Sequence, residues 1–188
     1  THIAITALVE NNAAVVFSAK NHHPAGLLLP LDTNSVQSER FRHQIETRQP
    51  IKKRLWQLTV QAKIKNQANL LTKYGIENER LSALIKKVKS GDPQNIEAQA
   101  ARFYWPRIFG KKFRRDRRGS PPNNFLNYGY MILRAAVARS LVSSGLLPTL
   151  GIHHCNRYNA YCLADDIMEP FRPWVDLVVY KMAARGEA

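Results

Sequence analysis

The sequence predicts a mainly α-helical protein in which a helical body follows a short segment of β structure. Two observations lead to this prediction. Apolar side chains recur at helical spacing through residues 51–74, in one stripe formed by Val60, Ile64, Ala68 and Leu71 and a second formed by Ile51, Leu55, Leu58 and Ala62. From residue 50 onward, proline and glycine also fall where helices typically begin and end, and a β-type apolar run occurs only before that point.

The opening segment predicts one short helix and one strand. Residues 2–10 form the helix, Ala-Ala-Val-Val-Phe at 13–17 forms a buried strand, and Asn11-Asn12 is the turn between them. A loop at 21–26 and a Leu-rich run follow. We interpret this part, up to about Thr33, as the tail of an α/β or β-rich module, and we expect the chain to begin inside a longer protein.

The helical body is divided by its breaking residues. We predict helices, in chain order, at 35–48, 51–74, 77–90, 93–105, 123–144 and 159–185. Pro50 suits a first helical turn, and Gly75 and Gly145 suit helix ends. Asp92 is predicted to cap the helix that Pro106 ends, which leaves residues 107–120 as a loop.

The charge of the chain indicates a polyanionic partner. Lys and Arg number 28 against 14 Asp and Glu, a net charge of +14, which favours nucleic acid first and an anionic membrane second. Solvated basic helix faces are the alternative. No apolar run reaches the roughly 18–20 residues of a membrane span, so we expect no membrane partner. Two cysteines are too few for a secreted disulfide framework, which favours a cytoplasmic location.

Three acidic residues lie close together in this basic chain, at Asp165, Asp166 and Glu169. Asp166 and Glu169 are spaced so that a helix places both carboxylates on one face, where they repel unless a cation lies between them. Mg²⁺ and Mn²⁺ take carboxylate oxygens, and Mn²⁺ also accepts imidazole. Pairing of the acids with Arg157 or Arg172 is the alternative interpretation. Pro170 and Pro173 remove helical hydrogen bonds just beyond the acids, which predicts a local break there.

A histidine pair precedes the acids. His153 or His154 could fold back towards the carboxylates and complete a metal shell. A zinc site that includes Cys155 and Cys162 remains open, although their spacing fits zinc ligands poorly.

Glu97 is a further candidate, because small residues around it allow close approach of a second element or of DNA. A favourable charge at a helix N-terminus explains it equally well.

The segment 107–118 is the strongest candidate for DNA contact. It interleaves two phenylalanines, Phe109 and Phe113, with seven basic residues, which suits phosphate binding and stacking on bases. The predicted DNA-binding residues are Arg107, Lys111, Lys112, Arg114, Arg115, Arg117 and Arg118.

Four stretches together carry a family resemblance. They are Ile-Glu-Ala-Gln-Ala-Ala-Arg-Phe-Tyr-Trp at 96–105, Asn123 with Leu-Asn-Tyr-Gly-Tyr at 126–130, Gly-Ile-His-His at 151–154 and Asp-Ile-Met-Glu-Pro-Phe-Arg-Pro at 166–173. In this order they resemble the CRISPR-associated spacer integrase family (Cas one). The loop at 21–26 and the Glu-Pro-Phe-Arg-Pro motif resemble its type II branch.

The resemblance implies a helical catalytic domain at 34–188, preceded at 1–33 by the remnant and linker of a β-rich N-terminal domain used for dimerisation. It implies that Glu97, His154 and Glu169 are the catalytic residues and bind Mg²⁺ or Mn²⁺, with Asp166 as an auxiliary carboxylate. The implied reaction joins the 3′-hydroxyl of a captured DNA fragment to a CRISPR repeat by transesterification, in antiviral adaptation. Implied partners are double-stranded DNA, a second copy of the full-length protein, and the Cas two protein.

A noncatalytic basic DNA-binding module is the alternative function. Such a module binds DNA in a salt-sensitive way but neither cleaves nor joins it with Mg²⁺ or Mn²⁺. Loss of the clustered acids would strengthen DNA binding by this module, whereas it would abolish the chemistry of an enzyme.

Overall fold

A computed structural model of the protein describes residues 1–11, 13, 15–18, 20, 24–31 and 34–186. The chain forms two compact units, of which the first comprises Thr1–Arg48 and Met131–Met168, and the second Gln49–Tyr130 and Glu169–Ala188. The elements are α1 (His2–Glu10), β1 (Val15–Ser18), β2 (Pro24–Leu28), α2 (Gln37–Glu46), α3 (Gln49–Lys73), α4 (Glu79–Lys87), α5 (Ile96–Phe109), α6 (Asn123–Ser143), α7 (Cys162–Met168), a 3₁₀ turn (Glu169–Phe171) and α8 (Arg172–Ala184). The prediction of a mainly α-helical fold is confirmed.

The first unit begins with the predicted helix α1, followed by a two-stranded sheet. β1 pairs with β2 in antiparallel fashion, with Val15 opposite Leu28. The strand expected at 13–17 is thus found near its predicted position, but β2 begins at Pro24 inside a segment that we had predicted to be a loop. Residue 12 of the expected turn, residues 21–23 of that loop and residues 32–33 of the expected domain boundary lie outside the described residues, so the boundary stays a prediction.

The core of the first unit is formed between α6 and α7. Ala138 and Leu141 of α6 pack against Leu163 and Ala164 of α7. The last predicted helix begins later than expected, at Cys162 instead of residue 159, because the Asn159 side chain accepts a hydrogen bond from the Tyr161 amide at 3.0 Å. This local bond holds the backbone in a turn that competes with helix formation.

The second unit is built around α3. One of its two predicted apolar stripes forms the core, because Val60, Ile64, Ala68 and Leu71 are buried. The other stripe does not behave as a core face, since Ile51, Leu55 and Leu58 are exposed. Periodicity alone predicted both stripes equally, and the packing of α4 and α5 determines which one is buried.

Pro106 does not end α5, in contrast to the prediction. The helix continues to Phe109 with the proline inside it, and Ile108 beyond the proline is buried. The ring of Phe109 also stacks on Trp105 at a centroid distance of 5.9 Å. A proline in a helix interior costs about 3 kcal/mol, and we attribute its tolerance here to this packing.

A helix break is present, but it falls before Glu169, inside the acidic cluster instead of beyond it, so Asp166 and Glu169 do not share one helix face as predicted. α7 ends at Met168, the 3₁₀ turn carries Pro170, and α8 starts with Arg172-Pro173. Among the described residues, no helix is both long and apolar enough to cross a membrane.

Candidate active site

A buried lysine joins two of the predicted site residues. Lys63 on α3 is 8% exposed. Its Nζ lies 2.5 Å from Oε1 of Glu97 and 2.5 Å from Oε2 of Glu169. A buried ammonium group requires such partners, because removing its charge from water is otherwise very costly. The two carboxylates therefore share one cation within the second unit.

Glu97 is positioned by the first turn of α5. The Asn95 side chain caps the helix by accepting a bond from the Ala98 amide at 3.2 Å. The carboxylate of Asp92 accepts from the amides of Ile96 and Glu97, at 2.8 and 3.0 Å. The prediction that Asp92 caps a helix starting at residue 93 is wrong, since Asn95 is the cap and α5 starts at Ile96. Asp92 instead satisfies two further amides of the first turn.

Glu169 is positioned by the 3₁₀ turn that separates α7 from α8. The side-chain amide of Asn66 donates to the carbonyl of Pro170 at 2.7 Å and ties this turn to α3. Oε1 of Glu169 lies 3.1 Å from Nη2 of Arg172, and the Glu169 side chain is 4% exposed. Glu169 is therefore buried between two cations, one from α3 and one from α8.

The charges of this group balance. Burial lowers the pKa of Lys63, but the carboxylates of Glu169 and Glu97 outweigh that effect and raise the pKa above its usual 10.5. The ammonium is thus held in its charged form. Lys63 and Arg172 together supply as much positive charge as the two glutamates supply negative charge.

A buried carboxylate that the sequence analysis missed lies close to this group. Asp176 of α8 is 1% exposed. It accepts hydrogen bonds from the hydroxyls of Tyr104, at 2.9 Å, and Tyr130. Burial raises the pKa of Asp176 to about 6, although the two tyrosine hydrogen bonds oppose this shift. The only sequence signal was an acidic residue inside the apolar run Trp-Val-Asp-Leu-Val-Val at 174–179.

This Tyr–Asp–Tyr network connects the elements that carry the glutamates. Tyr104 lies two turns beyond Glu97 on α5, and Asp176 lies on α8, which follows directly after the 3₁₀ turn that carries Glu169. Burial is the main cause that raises the pKa of Tyr104, so its hydroxyl stays protonated as a donor. The Arg172 guanidinium also lies 4.8 Å from the centre of the Tyr130 ring. The network therefore ties α8 to α5, the helix that carries Glu97, and to α6.

In the first unit, Asp166 organises the turn that carries His154. Asp166 is fully buried. It accepts from the amides of Ile152 and His153 at 2.7 and 2.8 Å, and from the His154 amide at 3.3 Å. Its Oδ1 also lies 2.5 Å from Nδ1 of His154, whose side chain is 47% exposed. The turn requires Gly151, because a Cβ there would lie 2.1 Å from the His154 carbonyl oxygen.

Asp165 has a separate structural role. Its two carboxylate oxygens accept from Nε and Nη2 of Arg134, at 2.6 and 2.7 Å, and the Asn159 amide adds a bond at 2.7 Å. The three clustered acids therefore have three different sets of partners. The alternative interpretation of the cluster is correct in one respect, because Arg172 does pair with Glu169.

The predicted site residues are distributed over both units. Glu97 and Glu169 come together in the second unit, whereas His154 and Asp166 come together in the first. Within the described residues, no group of three or more His, Cys, Asp or Glu side chains forms a ready-made metal site. Cys155 is exposed, and the Cys162 sulfur lies 3.4 Å from the carbonyl oxygen of Asn159.

The residues nevertheless suit a divalent metal chemically. A buried carboxylate, Glu169, and a half-buried one, Glu97, converge on one cation, and Lys63 supplies that cation in this structure. In the Asp166–His154 pair a carboxylate orients an imidazole, as is common for histidines that bind metals. Carboxylate oxygens with one imidazole match the preferences of Mg²⁺ and Mn²⁺.

The predicted DNA-binding residues fall into two groups. Arg107 belongs to α5, not to a loop, and its guanidinium lies 3.4 Å from the centre of the Phe103 ring. Arg115 is half-buried and donates to the side-chain oxygens of Asn123 and Asn127, at 3.1 and 2.5 Å. Burial lowers the pKa of Arg115. Arg107 is exposed, and so are the remaining five, namely Lys111, Lys112, Arg114, Arg117 and Arg118.

The two phenylalanines of this segment contact each other. The rings of Phe109 and Phe113 lie 4.8 Å apart, and Phe113 lies 5.6 Å from Trp105. This cluster supports the fold of the basic segment. Stacking of these rings on DNA bases stays a prediction.

Comparison with known proteins identifies relatives along the whole chain. Residues 1–188 match the family model described as CRISPR associated protein Cas1. The CRISPR-associated endonuclease Cas1 of Neisseria meningitidis serogroup C is 40% identical over 184 residues, which cover 97% of this chain and 60% of the relative. The chain thus spans less than two thirds of the length of that relative.

Two solved structures share the fold. A casposase bound to its integration product has a TM-score of 0.83 at 24% identity, and the match covers 100% of this chain and 58% of the casposase. A chain of a Cas6-RT-Cas1–Cas2 complex has a TM-score of 0.78 at 25% identity, over 100% of this chain and 23% of that one.

Proposed function

This chain belongs to the CRISPR-associated Cas1 family, and we propose that it carries the active site of a metal-dependent DNA endonuclease and integrase. In the proposed reaction, the 3′-hydroxyl of a captured DNA fragment attacks a phosphodiester of a CRISPR repeat. One phosphodiester bond forms as another breaks, and the displaced oxygen leaves with a proton. Water in place of the hydroxyl would give hydrolysis.

The observation that carries this proposal is the convergence of Glu97 and Glu169 on one cation position. Two carboxylates held this close, one buried and one half-buried, repel each other, and such an arrangement is typical of sites that hold a cation. Both residues fall in motifs from which the family resemblance implies catalytic roles. We propose that they bind Mg²⁺ or Mn²⁺ together with His154.

The chain's own residues have distinct tasks in this proposal. Glu97 and Glu169 supply anionic oxygens, and Arg172 holds Glu169 in place. Asp166 holds the His154 ring through Nδ1, which fixes the orientation of that ring. When bound, the divalent ion supplies charge stabilisation for the phosphoryl oxygens and favours a deprotonated nucleophile. No covalent intermediate with the protein is needed.

We further propose double-stranded DNA as the substrate and its phosphates as the contacts of the exposed bases between residues 111 and 118. The net charge of +14 supports this assignment. In the full-length protein we propose a homodimer that works with a Cas2 protein. The similar chain that was solved in a Cas6-RT-Cas1–Cas2 complex supports the second partner.

Strand joining tests the proposed function. We expect Glu97→Gln and Glu169→Gln to lower the joining of a short duplex to a repeat-bearing plasmid in Mg²⁺ or Mn²⁺ by roughly 100-fold or more, because loss of one charge-stabilising group costs about that factor. Glu79→Gln, at an exposed position on α4, is the matched control and should be unaffected.

DNA binding, measured by gel shift on the same variants, separates the two candidate functions. An enzyme whose site is lost should keep its salt-sensitive binding while joining disappears. A noncatalytic DNA-binding module would bind DNA but show no joining even as the unmodified protein. Full joining activity in both site variants would refute the assignment of these glutamates.

A further inference from the structure

Lys63 occupies the position at which the proposed metal would contact the second-unit ligands. Its Nζ is 2.5 Å from one oxygen of Glu97 and 2.5 Å from one oxygen of Glu169. A Mg²⁺ ion contacts carboxylate oxygens at about 2.0–2.1 Å. An ammonium and a divalent ion that share the same two oxygens lie close together and repel each other strongly.

The charges also disfavour simultaneous binding of Lys63 and a divalent ion to the two glutamates. Glu97 and Glu169 carry two negative charges, and Lys63 and Arg172 already neutralise them. A divalent ion added beside the Lys63 ammonium would bring like charges together at a largely buried site. The repulsion between them is strong there, because water screens it only in part.

We propose that Lys63 is an internal counter-cation that competes with the divalent metal for Glu97 and Glu169. It holds the two carboxylates together before the metal arrives and must leave them when the metal binds. Lys63 is therefore a positioning residue that sets the affinity for metal. This inference rests on the proposed role of Glu97 and Glu169 as metal ligands.

The structure offers an acceptor for the displaced ammonium. Gln67 lies one turn beyond Lys63 on α3, and side chains four residues apart on a helix are neighbours. Gln67 is buried, and its Oε1 has no hydrogen-bond partner within the described part of the chain. A buried carbonyl oxygen of this kind gains a charge-assisted hydrogen bond if Nζ turns towards it.

Mn²⁺ binding by the DNA-free protein tests the competition. Lys63→Met keeps much of the aliphatic chain and removes the ammonium, and Lys65→Met, at an exposed position on the same helix, is the matched control. Calorimetric titration with Mn²⁺ should give at least tenfold tighter binding to Lys63→Met than to the unmodified protein. Lys65→Met should match the unmodified protein.

Thermal unfolding provides a second readout that does not depend on activity. In EDTA, Lys63→Met should melt at a lower temperature, because the buried Glu169 and the half-buried Glu97 have lost their shared cation. Saturating Mn²⁺ should restore most of this loss, so the increase in Tm caused by Mn²⁺ should be larger than in the unmodified protein. Lys63→Gln, which keeps a polar group without charge, serves the same test if the methionine variant does not fold in EDTA.

The outcomes are distinct. Equal or weaker Mn²⁺ binding by both Lys63 variants, with an unchanged increase in Tm, would overturn the competition while leaving the proposed metal site intact. Lack of Mn²⁺ binding to the unmodified protein and to both variants would contradict the metal site itself and the competition with it. Tighter binding confined to the Lys63 variants would support both.

Discussion

Replacing Asp176 by asparagine tests whether burial in the Tyr–Asp–Tyr network makes the ionised form of Asp176 unfavourable. The substitution keeps the shape of the side chain and an oxygen that can accept one tyrosine hydroxyl. It removes the titratable group from a position that is 1% exposed. Charged and titratable groups that act on this carboxyl are Tyr104, Tyr130, Arg172 and Lys63.

The magnitude follows from the pKa of Asp176. Burial raises this pKa from 3.8 to about 6. Each pKa unit corresponds to about 1.4 kcal/mol, so ionisation of Asp176 lowers the free energy of unfolding by about 3 kcal/mol at a pH well above 6. The direction of the pH dependence follows from the number of protons that the folded and unfolded states bind. Between pH 3.8 and pH 6 the folded protein binds more protons than the unfolded chain, so this contribution to stability falls as the pH rises.

Urea denaturation of both proteins at a series of pH values measures the effect. We expect the stability of the unmodified protein, relative to Asp176→Asn, to fall by about 2 kcal/mol between pH 4 and pH 7.5. Subtracting the free energy of unfolding of one protein from that of the other removes the contribution of all other titrating groups. Glu79→Gln, which removes an exposed carboxylate, should show no such trend. A difference that stays constant over this pH range would refute a raised pKa for Asp176.

Two further predictions concern the basic residues. Alanine at the five exposed basic residues between positions 111 and 118 should reduce the slope of log K for DNA binding against log salt by about 4–5, because each phosphate contact contributes about 0.9; the set is Lys111, Lys112, Arg114, Arg117 and Arg118. The paired change Lys86→Ala and Lys87→Ala on α4 is the control, and a slope that is unchanged in the fivefold variant would exclude the segment as a phosphate-binding surface. Arg134→Met should lower the free energy of unfolding by roughly 2 kcal/mol, because Asp165 loses both charge-assisted hydrogen bonds. Urea denaturation measures this loss, with the exposed Arg139→Met as control, and equal stability of the two variants would show that the ion pair contributes nothing.

Most helices could be predicted because their signals are local. Gly75 and Gly145 end α3 and α6 with positive φ angles, as expected from their positions. Pro106 shows the limit of such signals, since the packing of Ile108 and Phe109 keeps the helix intact beyond it. β2 was missed because a short strand is stabilised by its partner β1, which periodicity within the segment does not reveal.

For the candidate site, the sequence supplied the residues but not their partners. The resemblance implied Glu97, His154 and Glu169, and those three assignments stay predictions. Nothing in the local sequence distinguished Lys63 from the exposed lysines of α3, nor did spacing show that Asp165 binds Arg134.

Residue types and their local order therefore determine the helical character, the basic charge and the acidic motif of this chain, because these depend on neighbours within a few positions. Tertiary packing alone decides that Lys63 lies between Glu97 and Glu169, that Asp176 is buried against two tyrosines and that Asp166 holds His154. The physical reason is that burial and charge pairing depend on which distant segments share a low-dielectric interior, where one unpaired charge is far more costly than on the surface.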